Sequence, residues 1–392
     1  MKIVHCCIGT PYIDGWGYQE NIMPAQHAKM GHNVTVITTR LILSASYYQM
    51  TKEDYEKPSE YYLSGVKVIR LEHRIKSYRF AVIRGLHKTL EREKPDLIYV
   101  HGVQTLELLN AVKYKQKHTG TVLFVDAHSD YQNSARSFVS RNIQHKLIWR
   151  GIVQKCSPYI DKFYCITPGI CNFVNEMYGI PMNRLELLTL GGETEKIHYD
   201  DKKTIKKQIR AQYGINENSI VIINGGKLSE EKRTRELIEA INKIVDNSID
   251  LIVFGNCDNE YQLELANAAK NNPRIHFVGW IESDAVYNYY LASDIACFPG
   301  GESVLWQQAI CCGLPLICKL WQGGEYLDVG GNVEFIYSDS QQEIIDKINK
   351  LIGDPQMINK MSMIALGKGT DKFAYKNIAK KVIDDARALS NN

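Results

Sequence analysis

Long apolar runs are missing from this chain. No stretch of about 18 apolar residues occurs in its 392 residues, so the sequence predicts no membrane-spanning helix. The opening MKIVHCCIG turns into a Gly/Pro loop too soon for a signal-peptide core, and it reads as a first buried strand. Metal-type cysteine spacing is missing too. The ten cysteines include two adjacent pairs, Cys6–Cys7 and Cys311–Cys312, and no CxxC. Adjacent residues on a strand face opposite ways, so these cysteines read as small buried apolar residues of a reducing compartment. A cytoplasmic location is the expectation. GxGxxG is absent, which removes the dinucleotide fingerprint. Short internal repeats are absent as well. With 44% apolar and 23% charged residues, the chain is not of the disordered class.

A strong excess of one charge is lacking overall, since the formal net charge is +3. The halves differ, however. Residues 1–192 hold 24 Lys/Arg against 16 Asp/Glu, which leaves 23 against 28 for residues 193–392. A basic half is therefore joined to an acidic one, and the basic half is the side suited to an anionic surface or ligand.

What is present is one repeated grammar: a β-branched run, a Gly-rich turn, then a helical period. Residues 2–8, 33–38, 97–100, 121–125 and 163–166 read as strands of a first unit. The pattern restarts after Gly214, with strands at 219–224, 251–255, 275–279, 295–298 and 316–319. Continuous apolar strands alternating with helices predict parallel sheets covered on both faces. The fold class is α/β, with two Rossmann-like domains facing across a cleft. The expected domains are 1–192 and 193–372. An amphipathic helix at 373–392 is expected to pack back on the first domain.

Ligands of such sheets bind beyond the carboxyl ends of the strands, so chemistry is sought in the loops there. After the strand at 219–224 comes Gly225-Gly226-Lys227-Leu228-Ser229-Glu230-Glu231-Lys232. The glycines admit close backbone approach, and two lysines five apart can converge on a diphosphate or stay solvated. Phe298-Pro299-Gly300-Gly301-Glu302-Ser303 opens a helix. Ser303 suits its cap, the amides of Ser303, Val304 and Leu305 suit an anion, and Gln308 suits a ribose. Asp126-Ala127-His128-Ser129-Asp130 ends a strand of the first unit. His128 can serve a sugar hydroxyl or a developing charge, whereas three alternate turn positions do not make a metal site on their own. Asp14-Gly15-Trp16-Gly17-Tyr18-Gln19 follows the first strand. Gly17 permits a phosphate or sugar nearby, and Trp16, Tyr18 and Gln19, with Asp126, suit an acceptor or sugar.

Two basic tracts remain. Residues 67–94 carry nine Lys/Arg against three Glu, and residues 136–155 carry five and no acid. Arg141, Lys146, Trp149 and Arg150 are the candidates for contact with an anionic membrane, the alternative being an ordinary packed helix with a solvated basic face. No recognition motif accompanies the charge, so no nucleic acid is expected.

Together these segments resemble the retaining glycosyltransferases of family 4, which have the GT-B fold. The resemblance runs through the Gly15–Gly17 loop, MGHNVTVIT, PDLIYVHG, VDAHSD, GGKLSEEK, VGWI, YYLASDIACFPG and QQAICCGLPLI in order. It implies a nucleotide-sugar donor, UDP- or GDP-linked, and a hydroxyl acceptor. It also implies catalysis that needs no cofactor or metal. Lys232 and Lys227 match the residues on the donor diphosphate, Ser303–Leu305 the pyrophosphate amides, Gly17 the phosphate loop, and His128 the histidine beside the donor sugar. The family carries two glutamates eight positions apart, where this chain has Gly300 and Gln308. Glu302 is then the nearby carboxylate for the donor sugar. With the basic half holding the acceptor, a polyprenyl-diphosphate-linked glycan of bacterial surface polysaccharide synthesis is expected, on the inner face of the membrane. The alternatives are a catalytically degenerate GT-B scaffold and a sugar-nucleotide epimerase.

Overall fold

The computed structural model describes residues 1–10, 12–40, 59–76, 81–246 and 248–390. Its chain divides into two compact units, Met1–Thr189 with Ile378–Asn392, and Leu190–Asn377.

The first unit is built on an eight-stranded sheet. Its strands are β1 (Lys2–Cys7), β2 (Asn33–Thr39), β3 (Glu60–Leu63), β4 (Val66–Leu71), β7 (Leu97–Val100), β8 (Val122–Ala127), β9 (Lys162–Cys165) and β10 (Leu185–Leu187), and a separate hairpin pairs β5 (His73–Lys76) with β6 (Ala81–Ile83). The spatial order is β10-β9-β8-β7-β1-β2-β4-β3, parallel except for the β3 edge. Every residue of β7 and β8 is buried, as expected for strands covered on both faces. Helix α1 (Gln19–Lys29) follows β1, and α2 (Pro168–Tyr178) follows β9. Thr167 caps α2 through the amide of Ile170, Pro168 fills its first position, and Gly179 ends it at φ +71°.

The second unit has a six-stranded, wholly parallel sheet in the order β13-β12-β11-β14-β15-β16. These strands are β11 (Ile220–Lys227), β12 (Ile249–Asn256), β13 (Ile275–Gly279), β14 (Ile295–Phe298), β15 (Leu316–Lys319) and β16 (Val333–Ile336). Helix α3 (Thr234–Lys243) follows β11, and α4 (Leu305–Cys311) follows β14. Both faces of this sheet carry their own apolar cluster.

The cysteines are packing residues: all ten are thiols, and Cys257 alone is not fully buried. Among the described residues no helix is long and apolar enough to cross a membrane. The last helix, α5, runs from Tyr375 to Ser390, while Phe373 closes a separate short turn inside the second unit's core.

The tract 67–94 is not a free basic face. Lys67 pairs with Glu93 at 2.8 Å, Arg92 with Glu60 at 2.6 Å, and buried Arg70 with Asp14 at 2.9 Å. It folds as strand and helix, so its cations meet carboxylates of neighbouring elements. Residues 77–80 of the tract lie outside the described residues.

Candidate functional site

Two groups of residues lie where loops leave strand ends, one in each unit.

In the second unit, the loop after β14 lies on the turn Glu230–Lys232. The amide of Gly301 donates to Glu231 O at 2.9 Å. Lys232 Nζ donates to Gly301 O at 2.8 Å and to Glu302 O at 2.7 Å. Burial pushes the Lys232 ammonium's pKa down, against the pull of Glu231 and Glu302. Gly300 has to be glycine here: a Cβ on it would sit 2.3 Å from Glu231 O and 2.4 Å from Lys232 C. The side chain that the family places at this position is therefore excluded by the backbone of the lysine turn. Trp321 Nε1 also donates to Gly300 O at 3.1 Å.

The same corner is closed by glycines. A Cβ on Gly226 would lie 2.7 Å from Leu305 Cδ1, and one on Gly255 would lie 1.7 Å from Gly226 O. The end of β12 thus presses on the end of β11, and β11 on the start of α4. Lys227 ends β11 and is exposed. Gln308 is half-buried on α4. Helix α4 begins at Leu305, and Ser303 Oγ already accepts the Leu305 amide at 3.3 Å, so of the three expected amides this one is engaged within the chain. The sequence reading missed Gln307, which donates to Ser303 O at 3.1 Å and Val304 O at 3.2 Å and accepts from Tyr326 Oη at 2.8 Å. It also missed Asn224, which donates to Cys297 O and accepts from Thr234 Oγ1, tying β11 to β14 and α3. Both are polar residues in apolar surroundings, and that was the available signal.

In the first unit, Asp126 lies at the end of β8 and is wholly buried. His128 Nε2 is 3.0 Å from its Oδ1, and His101 Nδ1 is 3.0 Å from its Oδ2. The Gly102 amide donates to Oδ1 at 2.7 Å, and Gln19 Nε2 donates to Oδ2 at 3.4 Å. Burial alone would push the Asp126 carboxyl up. The His128 and His101 imidazoles outweigh it and hold the carboxyl well below the usual carboxylate range. Burial likewise disfavours charge on His128, but Asp126 overrides it and lifts the imidazole to about 9. Only His128, with a side chain 20% exposed, reaches the surface of this cluster. Asp126 and Gln19, expected to meet a sugar, lie behind it. Gly17 is half-buried, and Trp16 and Tyr18 lie together in the same loop with ring centroids 5.2 Å apart.

Glu20, His101 and His128 each offer a donor atom within 4.8 Å of the others. Donors around one tetrahedral ion at ~2.1 Å lie roughly 3.4 Å apart. Asp126 is set between the two imidazoles of this group.

The loop that starts at His128 leads into a helical segment, π-wound over Ser140–Trp149 and α-helical over Arg150–Cys156. Its inner side is fixed by His145, which meets Tyr178 Oη at 2.9 Å and Ser134 Oγ at 3.1 Å. Its outer side exposes Phe138 (78%), Val139, Ile143, Leu147 (67%) and Ile148. Arg136, Arg141 and Lys146 are exposed among them. Two expected surface residues are structural instead. Trp149 is buried in the core, and Arg150 donates to Glu176 O and Met177 O at the end of α2. Phe138, Val139 and Ile143 were missed because an apolar residue on a helix reads as core until its face is known.

Residues 25–196 match the family described as Glycosyltransferase Family 4, and residues 205–367 match glycosyl transferases group 1. The chain is 27% identical over 239 residues to an uncharacterized glycosyltransferase of Methanocaldococcus jannaschii. That match covers 58% of this chain and 56% of the relative, so it spans little over half the relative's length. In fold it resembles sucrose-phosphate synthase from Thermosynechococcus elongatus, with a TM-score of 0.71, 16% identity, and 99% and 98% of the two chains covered. It resembles Anabaena HepE in complex with UDP equally, with a TM-score of 0.71, 16% identity and all of both chains covered.

Proposed function

We propose that the chain is a glycosyltransferase of the GT-B type, its residues 25–196 matching family 4 and its residues 205–367 group 1, and that it transfers a hexose, with retention and without a metal, from a UDP-sugar to a hydroxyl of a polyprenyl-diphosphate-linked glycan at an anionic membrane. The acceptor is assigned to surface polysaccharide synthesis. The UDP donor is chosen over GDP because the similar HepE was solved with UDP.

The leaving diphosphate takes the third N–H of Lys232, whose other two hold Gly301 O and Glu302 O. A half-buried ammonium stabilises the developing phosphate charge far more than a solvated one, which is the role a metal serves elsewhere. Lys227 and the amides of Ser303 and Val304 add to it. Gln308 takes the ribose as a neutral partner, and Glu302 takes the donor sugar. His128, whose Nε2 lies 3.0 Å from Asp126 Oδ1, is assigned to the donor sugar. Trp16 and Tyr18 hold the acceptor. The acceptor hydroxyl attacks on the face from which the phosphate departs.

The observation that carries the lipid acceptor is the outer side of the helical segment after His128. Its five apolar side chains are exposed among three cations, the pattern of an interfacial contact. Each basic residue near an anionic surface contributes about 1 kcal/mol. Co-sedimentation with phosphatidylglycerol vesicles at low and high salt tests it. Binding that falls with salt and with Phe138→Glu or Leu147→Glu is expected. Absence of binding at low salt would remove the membrane from the account.

A further inference from the structure

Behind Asp126 runs a row of three buried imidazoles, and its bonds assign the tautomers. His27 Nε2 lies 3.0 Å from the carbonyl of Ala379 on α5, His5 Nε2 lies 3.0 Å from His27 Nδ1, and His101 Nε2 lies 2.9 Å from His5 Nδ1. A carbonyl only accepts, so His27 donates through Nε2 and accepts at Nδ1. The same order passes along the row: His5 donates to His27, and His101 donates to His5. Three bonds use the three N–H groups of three neutral rings. His101 Nδ1 is left as a bare lone pair, and it is a buried atom with no hydrogen-bond partner.

That lone pair lies 3.0 Å from Asp126 Oδ2, and both side chains have no exposure. Two electron-rich atoms at this distance in a dry site repel unless a cation lies between them. His128 Nε2 repeats the arrangement: it is 3.0 Å from Asp126 Oδ1, buried, and without a hydrogen bond. Nitrogen and oxygen this close, yet not hydrogen-bonded, have the spacing of neighbouring ligands on one ion. Around an octahedral ion with bonds of ~2.1 Å, neighbours lie about 3.0 Å apart and opposite ligands about 4.2 Å apart. Buried Glu20, in the first turn of α1, brings a second carboxylate. Its oxygen, His101 Nδ1 and His128 Nε2 lie within 4.8 Å of one another. The widest pair, set opposite, needs to close by at most about 0.6 Å.

The sheet order creates this meeting. Strands β8, β7 and β1 are neighbours, with Val100 opposite Val125 and Cys6 opposite Val100. His101 and Asp126 therefore follow matched positions, His128 comes two residues on, and Glu20 opens the helix after β1.

We propose that Glu20, His101, Asp126 and His128 bind one divalent first-row transition ion, which ties the ends of β7 and β8 to the start of α1. Two imidazoles with two carboxylates suit such an ion better than Mg²⁺, which prefers oxygen alone. The histidine row is its outer shell, holding the His101 ring with Nδ1 toward the ion. The ion is structural. The transfer proposed above does not call on it, since the leaving group there is assigned to Lys232 of the second unit. Ligation through Nε2 leaves the other ring nitrogen of His128 outside the ion's shell.

Co²⁺ and Mg²⁺ titrations of the chelator-treated full chain, by calorimetry and thermal unfolding, test this without any sugar donor. One Co²⁺ per chain is expected, with Tm raised by roughly 5–10 °C at a hundredfold excess over Kd. Mg²⁺ should leave Tm unchanged. Proton NMR of the Co²⁺ form should show paramagnetically shifted imidazole signals from two histidines. Glu20→Gln, which keeps the side chain's shape, and His128→Gln should each weaken Co²⁺ binding about tenfold or more. Co²⁺ binding that survives both variants belongs to exposed groups such as His87, Glu91 and His118, and it would overturn the proposal. So would a folded chain that binds no Co²⁺, or one that responds equally to Mg²⁺.

Discussion

Replacing Gly300 by alanine adds one methyl group at a crowded backbone contact of the second unit's site. The new Cβ would lie 2.3 Å from Glu231 O, 2.4 Å from Lys232 C and 2.5 Å from Lys232 O. Carbon and oxygen need about 3.2 Å, so the loop after β14 and the lysine turn must part by nearly an ångström. Three hydrogen bonds resist: Gly301 N to Glu231 O, and Lys232 Nζ to Gly301 O and Glu302 O. Overpacking costs about 1–3 kcal/mol and each strained bond a fraction of its ~1 kcal/mol, so a loss near 2–3 kcal/mol follows. For a unit of this size that is a fall of roughly 5–10 °C in Tm. Thermal unfolding followed by calorimetry measures it, and UDP titration should show about tenfold weaker binding as Lys232 is displaced. Gly301→Ala is the contrast. Its Cβ would come no nearer than 3.4 Å to the Lys232 Nζ tip and 3.7 Å to Glu231 O, so it should melt within about 2 °C of wild type. If Gly300→Ala melts and binds UDP like the wild type, the close contact is not what fixes the lysine turn.

Other outcomes follow from the same geometry. Lys232→Ala should lower turnover about 10²–10³-fold while the far-UV spectrum and cooperative melt persist, since one preformed cation is lost from the leaving-group site; a wild-type rate would refute its role. His128 is held at about 9 in the folded chain against 6.5 for a free imidazole, so its pairing stabilises fully below pH 6.5 and that contribution fades as pH rises through 9. Asp126→Asn should flatten this slope of Tm against pH, and an unchanged slope would place the dependence elsewhere.

The two parallel sheets were legible because β-branched runs and Gly turns alternate in strict order. The lysine turn and the 300–303 loop were legible as glycine-flanked polar residues at strand ends. The histidine row was not. His5, His27 and His101 lie far apart in sequence, and their meeting depends on the order in which β1 and β7 pair and on where Ala379 comes to lie. The exposed side of residues 136–155 was legible only in part. Charge density pointed to residues 136–155, but which residues face out depended on the wide winding over Ser140–Trp149, which rotates Trp149 inward and leaves Phe138 and Leu147 outside. The departure at Gly300 looked like a missing carboxylate. In the fold it is a steric requirement of the lysine turn.

The most direct test of the central claim is the anomeric configuration of the product. The protein is incubated with UDP-sugars and vesicle-borne polyprenyl-diphosphate glycan, and proton NMR reads the new linkage. The account predicts UDP release with the donor's anomeric configuration kept. An inverted linkage, or donor left intact across the whole UDP-sugar panel, would contradict it.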